Sequence, residues 1–106
     1  MKANIISLVA AASLMFTCGA MAADMSPLAK KSGCANCHAI DKKLVGPGWQ
    51  EVANKYKGDA EAAAKLSTKI VKGGGGVWGA VPMPAQPKLS EADTKELVEF
   101  ILGLAK

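Results

Sequence analysis

The sequence predicts an all-α domain. No segment alternates with period two, apolar residues near the C-terminus recur at helical spacing, and Gly and Pro groups cut the chain into short helix-length pieces. Its 106 residues fit one small domain and exclude a multidomain enzyme. With 50% hydrophobic and 21% charged residues the chain is too apolar to be disordered.

Part of that apolarity lies in an N-terminal block. Met1-Lys2, the apolar run from Ile5 to Phe16 and the small residues Ala20-Met21-Ala22 have the layout of a secretory signal peptide, with cleavage after Ala22 or Ala23. Residues 1–22 are therefore read as a cleaved leader and 23–106 as the working domain. An uncleaved membrane anchor is the competing reading, because nothing from Ala3 to Ala23 is charged. Ser7 and Ser13 interrupt the apolar core, and Met15-Phe16-Thr17 is a poor lipoprotein box before Cys18.

Four helices follow. Ser26-Pro27 reads as an N-cap and first helical position, opening a short helix that runs into residues 34–38. Leu44-Val45-Gly46-Pro47-Gly48 breaks the chain. A second helix covers Trp49 to Tyr56 with Gly58 as its stop, and a third begins after Asp59 and runs to Val71 before Gly73. Ser90 with Asp93 resembles a capping arrangement for the last helix. Leu97, Phe100, Ile101 and Leu104 form its apolar stripe, expected to pack most simply on the N-terminal helix.

About 84 residues with few aromatics make a small core, and domains of this size often need a staple. After cleavage two cysteines remain, in Cys34-Ala35-Asn36-Cys37-His38, which holds the single histidine and reads as a haem c attachment site. On a helical turn positions i, i+3 and i+4 share one face, so two thiols and an imidazole address the same flat molecule. The thiols add to the haem vinyl groups and His38 reaches the iron. A thioredoxin-like motif would want a βαβ setting, and a zinc ribbon a second ligand pair; neither is present.

With no second histidine, the sixth-ligand candidates are Met25 and Met83. Met25 lies nine residues before Cys34 and would have to double back. Met83 stands between Pro82 and Pro84, which stiffen the loop and exclude a helix there. The alternative for Met83 is a gap-filling core side chain. A thioether on iron favours the ferrous form, raises the reduction potential and fills the sixth position.

The order of Cys34-x-x-Cys37-His38, Val45-Gly46-Pro47, Gly76-Val77-Trp78-Gly79, Pro82-Met83-Pro84 and a C-terminal amphipathic helix resembles the short bacterial class I cytochromes c of the cytochrome c-551 type. It spans essentially the whole processed chain. The resemblance implies the small class I cytochrome c fold, with about four helices around one covalently bound haem c per chain. It implies a soluble, monomeric, periplasmic carrier of single electrons in a respiratory chain, with His38 and Met83 on the iron, rather than an enzyme. A quinol–cytochrome c reductase is the implied donor; a terminal oxidase, nitrite reductase or cytochrome c peroxidase is the implied acceptor.

Residue roles follow from the same resemblance. Pro47 holds the position whose carbonyl accepts a hydrogen bond from the proximal histidine, and also suits a helix start. Trp78 matches the tryptophan whose indole N–H meets a haem propionate, with plain core packing as the alternative. Lys69 falls where relatives often carry an arginine near the propionates, and loses the bidentate fork. Trp49 reads as haem-packing core and Gln86 as a loop amide. Five glycines between Gly73 and Gly79 lack the strand, lysine and hydroxyl of a phosphate loop, and fit a helix stop followed by close backbone approach to the haem edge.

Charge separates the remaining function classes. The processed chain has 12 lysines, no arginine and 9 acidic residues, a formal +3, giving nucleic-acid binding little support. Lys30-Lys31 and Lys42-Lys43 flank the haem turn and suit an acidic partner, or are simply solvated. Two propionates reduce the net charge to about +1, so long-range steering is modest. Two rivals stay open: a five-coordinate haem enzyme or gas sensor with Met83 off the iron, and a haem subunit anchored by its leader.

Overall fold

In the computed structural model, residues 24–106 are described; the leader and its cleavage site lie outside them. Four α-helices follow in order: α1 (Pro27–Lys31), α2 (Trp49–Lys55), α3 (Ala62–Lys72) and α4 (Glu91–Leu102), with a 3₁₀ turn at Cys34–Asn36 between the first two. No strand occurs among the described residues, only isolated bridges pairing His38 with Lys43 and Gly74 with Met83.

Each helix boundary has a local cause. The Ser26 hydroxyl accepts the Ala29 N–H at 3.0 Å and Pro27 opens α1. This helix stops at Lys31 instead of continuing into the cysteine turn. Gly33 at φ 82° redirects the backbone there, a conformation that a side chain disfavours. Helix α2 ends one residue before the expected Tyr56.

Ahead of α3, Asp59 accepts the Glu61 N–H at 2.9 Å and pairs with Lys65 at 2.8 Å. The Lys65 hydrogen bond, then that amide, hold the Asp59 carboxyl below its ordinary 3.8. The small contribution of this exposed turn is therefore present above the unfolded value and fades as pH falls through the folded one. For α4, the Ser90 hydroxyl accepts the Asp93 N–H at 3.0 Å, and the Thr94 hydroxyl donates to the Ser90 carbonyl at 2.9 Å.

The core lies among α2, α3 and α4. Trp49, Val52, Leu66, Ile70, Leu97, Val98 and Ile101 are buried together with Ala29. The stripe of α4 is wider than the spacing predicts, because Thr94 and Val98 are buried beside Leu97 and Ile101 while Phe100 and Leu104 are half-buried. Its principal partners are α3 and α2, with a lighter contact to α1. The N-terminal helix has only five residues and cannot cover a twelve-residue face. Trp49 of α2 meets Phe100 of α4 edge-on, with centroids 5.9 Å apart.

Leu97 is 1% exposed at the centre of this arrangement. Leu97→Ala is expected to cost about 2–5 kcal/mol of stability, measured as a lower denaturant midpoint. A loss no larger than that of a surface substitution would show that α4 does not anchor the core.

Candidate functional site

One open cleft gathers the residues that the sequence singled out. Its lining includes Cys34, Cys37, His38, Pro47, Trp78 and Met83, with Trp49, Lys69 and Gln86. The space is about 1270 Å³, the open solvent at its mouth included. Met25 packs against the core and is not among the cleft-lining residues.

The cysteine turn is built by its backbone. The N–H groups of Cys37 and His38 both donate to the Cys34 carbonyl, at 3.1 and 2.9 Å, so three residues distant in spacing are drawn into one turn. Burial pushes the half-buried Cys34 thiol above its ordinary 9.0, and the nearby Cys37 acts in the same direction. Unmodified, that sulfur is a neutral thiol at physiological pH.

The imidazole of His38 is oriented from its other side. Its Nδ1 lies 2.8 Å from the Pro47 carbonyl oxygen, which can only accept, so the ring proton sits on Nδ1 and the Nε2 lone pair is free to bind a metal. The intervening loop is tied back by Gly46 N–H to the Cys37 carbonyl at 2.8 Å and Trp49 N–H to the Ala39 carbonyl at 2.9 Å. A Cβ on Gly46 would come within 2.7 Å of His38 Cε1. Trp49 braces the imidazole, with ring centroids 5.6 Å apart.

Met83 is held differently. Its N–H donates to the Gly74 carbonyl at 2.7 Å and its carbonyl accepts the Gly74 N–H at 3.0 Å. Gly73, at φ 68°, ends α3 and brings its Cα against the Met83 carbonyl and the Ala85 nitrogen, where a Cβ would have no room. The Gln86 N–H then satisfies the Ile70 and Val71 carbonyls at the end of α3, at 3.0 and 3.2 Å. Close approach by Gly73 is thus to the Met83 loop, while Gly74, Gly75, Gly76 and Gly79 line the cleft.

At the mouth, Trp78 is 36% exposed and Lys55 Nζ stands 5.6 Å from its ring centroid. The Lys69 ammonium reaches to 3.1 Å from where a Gly74 side chain would begin. Lys43 also lines the cleft, whereas Lys30, Lys31 and Lys42 do not. Neither Lys55 nor the constraint on Gly46 was apparent from the sequence. Lys55 is 23 positions from Trp78, and nothing local marks a lysine at a helix end as an aromatic's neighbour.

Two thiols, an imidazole with its lone pair free and a thioether, set around an apolar cleft with an open edge, suit the donor set of haem c. Sequence and structure comparisons agree. The family model described as Cytochrome c matches residues 22–105. Cytochrome c-551 of Azotobacter vinelandii is 53% identical over 75 residues, 71% of this chain and 90% of the relative. Cytochrome c-551 of Allochromatium vinosum is 51% identical over 77 residues, 73% of this chain and 82% of the relative. The crystal structure of wild-type Nitrosomonas europaea cytochrome c552 superposes with a TM-score of 0.71 at 45% identity, covering 73% of this chain and 95% of that one.

Gly46→Ala is expected to push the imidazole away from Pro47, break the 2.8 Å hydrogen bond and cost about 1–3 kcal/mol. The checks are the His38 Nδ1–H resonance and the denaturation midpoint. An unshifted resonance would show that the ring tolerates the methyl group.

Proposed function

The chain belongs to the cytochrome c family, a small electron carrier with covalently bound haem c, and from that premise we propose that it is exported, cleaved after Ala22 or Ala23, and carries single electrons in the periplasm with His38 and Met83 as axial ligands. Cys34 and Cys37 make the thioether links. Haem c supplies a one-electron Fe(II)/Fe(III) couple when bound.

The observation that carries the ligand assignment is that His38 and Met83 line one cleft and that each is fixed by backbone hydrogen bonds from a separate segment. Pro47 increases the basicity of His38 and sets the plane of its ring. Met83 is restrained by Gly74 and by the prolines on either side, so its thioether changes position little between oxidation states. Trp78, at the cleft mouth, contributes its indole N–H to a haem propionate. Lys69 adds a single positive charge near the same edge.

An open-iron enzyme would want an acid or base above the substrate. Among the described residues, the titratable ones lining the cleft apart from the cysteines and His38 are Lys43 and Lys69, and no carboxylate is among them. The carrier reading is favoured for that reason.

Partner docking follows from the surface around the mouth. Val45, Val77 and Val81 line the cleft, so the contact there is partly apolar and suits brief docking and rapid exchange. Four of the acids, Glu91, Asp93, Glu96 and Glu99, lie on α4. The lysine pairs flanking the cysteine turn suit an acidic partner. The donor proposed is a quinol–cytochrome c reductase; the acceptors are a terminal oxidase, nitrite reductase or cytochrome c peroxidase. Among the described residues no helix is long and apolar enough to cross a membrane.

Met83→Ala is expected to remove the weak long-wavelength absorption of methionine-bound ferric haem and lower the reduction potential. Added imidazole should bind on the order of tenfold or more tightly once no internal ligand competes. Spectra and voltammetry of the variant and its parent decide it: identical low-spin spectra would remove Met83 from the iron.

A further inference from the structure

The segment between Gly74 and Met83 makes few hydrogen bonds to the rest of the chain. Residues 74–82 all line the cleft. Across 75–82 the backbone makes one hydrogen bond, Gly76 N–H to the Gly79 carbonyl at 3.1 Å, which closes a turn without tying it to the protein. Trp78 sits at its tip. The neighbour that reaches this ring from a helix is Lys55, whose Nζ is 5.6 Å from the centroid.

We propose that Lys55 is a positioning residue that tethers Trp78 to α2, so that its indole stays set at the cleft mouth. This rests on the reading of Trp78 as the propionate's hydrogen-bond donor. Lys55 is the last residue of α2, a helix anchored by buried Trp49, Val52 and Ala53. Its attachment point therefore lies on the packed core, to which the segment it holds makes no backbone hydrogen bond between residues 75 and 82. The ammonium over the indole face is attracted by the ring quadrupole, and an exposed contact of this kind changes local opening by roughly two- to fivefold. The same positive charge beside the cleft mouth disfavours the more positive ferric haem and so raises the reduction potential.

The test uses the haem-loaded protein and its variants Lys55→Ala, Lys55→Arg, Trp78→Phe, Trp78→Leu and Lys55→Ala in the Trp78→Leu background. Amide hydrogen exchange at residues 75–81 reads the tether, and voltammetry reads the haem. Lys55→Ala is expected to speed exchange there by roughly two- to fivefold, with α3 and α4 unchanged, and to lower the potential. Arginine restores both. In the Trp78→Leu background, removing Lys55 should have no further effect on exchange.

Unchanged exchange in Lys55→Ala, or the same acceleration without the indole, overturns the tether. Trp78→Phe keeps a ring for the cation and removes the N–H, so it should lower the potential while exchange stays near the parent's. If its potential does not move, the propionate contact is overturned, and the exchange data still decide the tether separately.

Discussion

The apolar core and the haem cleft share their inner surface. Trp49, Val52, Leu66, Ile70, Leu97 and Ile101 are buried residues that hold α2, α3 and α4 together, and the same six line the cleft. A chain this short buries a smaller fraction of its surface than a larger domain would. Helices of five to twelve residues gain their stability from packing more than from propensity. A large flat group, covalently fixed at Cys34 and Cys37, extends that core as much as it equips it for redox chemistry. Thioether links keep the group from leaving when a short helix opens.

Around this shared surface the two proposed ligands are constrained by different physical means. His38 is fixed by polar geometry and lack of space: a carbonyl 2.8 Å from Nδ1, and a glycine whose side chain would strike the ring. Met83 is fixed through its main chain, with the bidirectional pairing to Gly74 and the crowding against Gly73. The glycines of residues 73–76 therefore have two roles. Gly73 permits contact between two backbones, and Gly76 supplies a turn whose freedom must be limited from elsewhere.

Much of this was legible because it rests on local rules. Ser26-Pro27 and Ser90 announce helix starts through the N–H groups they satisfy, and Gly73 announces an end because glycine alone adopts a helix-ending positive φ freely. The cysteine-histidine turn was legible because its chemistry requires that spacing. Packing partners were less legible: the stripe on α4 was apparent from its period, but which helices cover it depends on lengths and directions that periodicity does not contain. The premature end of α1 at Lys31 follows from Gly33, a residue that reads as an ordinary turn until its φ is known. Contacts across the cleft, Lys55 with Trp78 and Gly46 with His38, join segments whose proximity is a property of the fold.

An electron carrier needs its metal environment to be nearly the same before and after the electron moves, because every ligand displacement adds to the barrier. In this protein the backbone restraints act on the proposed ligands themselves, while residues 75–82, with few backbone hydrogen bonds of their own, lie along the cleft towards its mouth. Rigidity and exposure are thereby separated along the chain. Val77 and Val81 lie in that segment, and Gly74 keeps the Met83 backbone in place. This division holds only while the turn bearing Trp78 does not pull on Gly74. The paired hydrogen bonds between Gly74 and Met83 are therefore the boundary at which motion in the docking surface is kept from the iron.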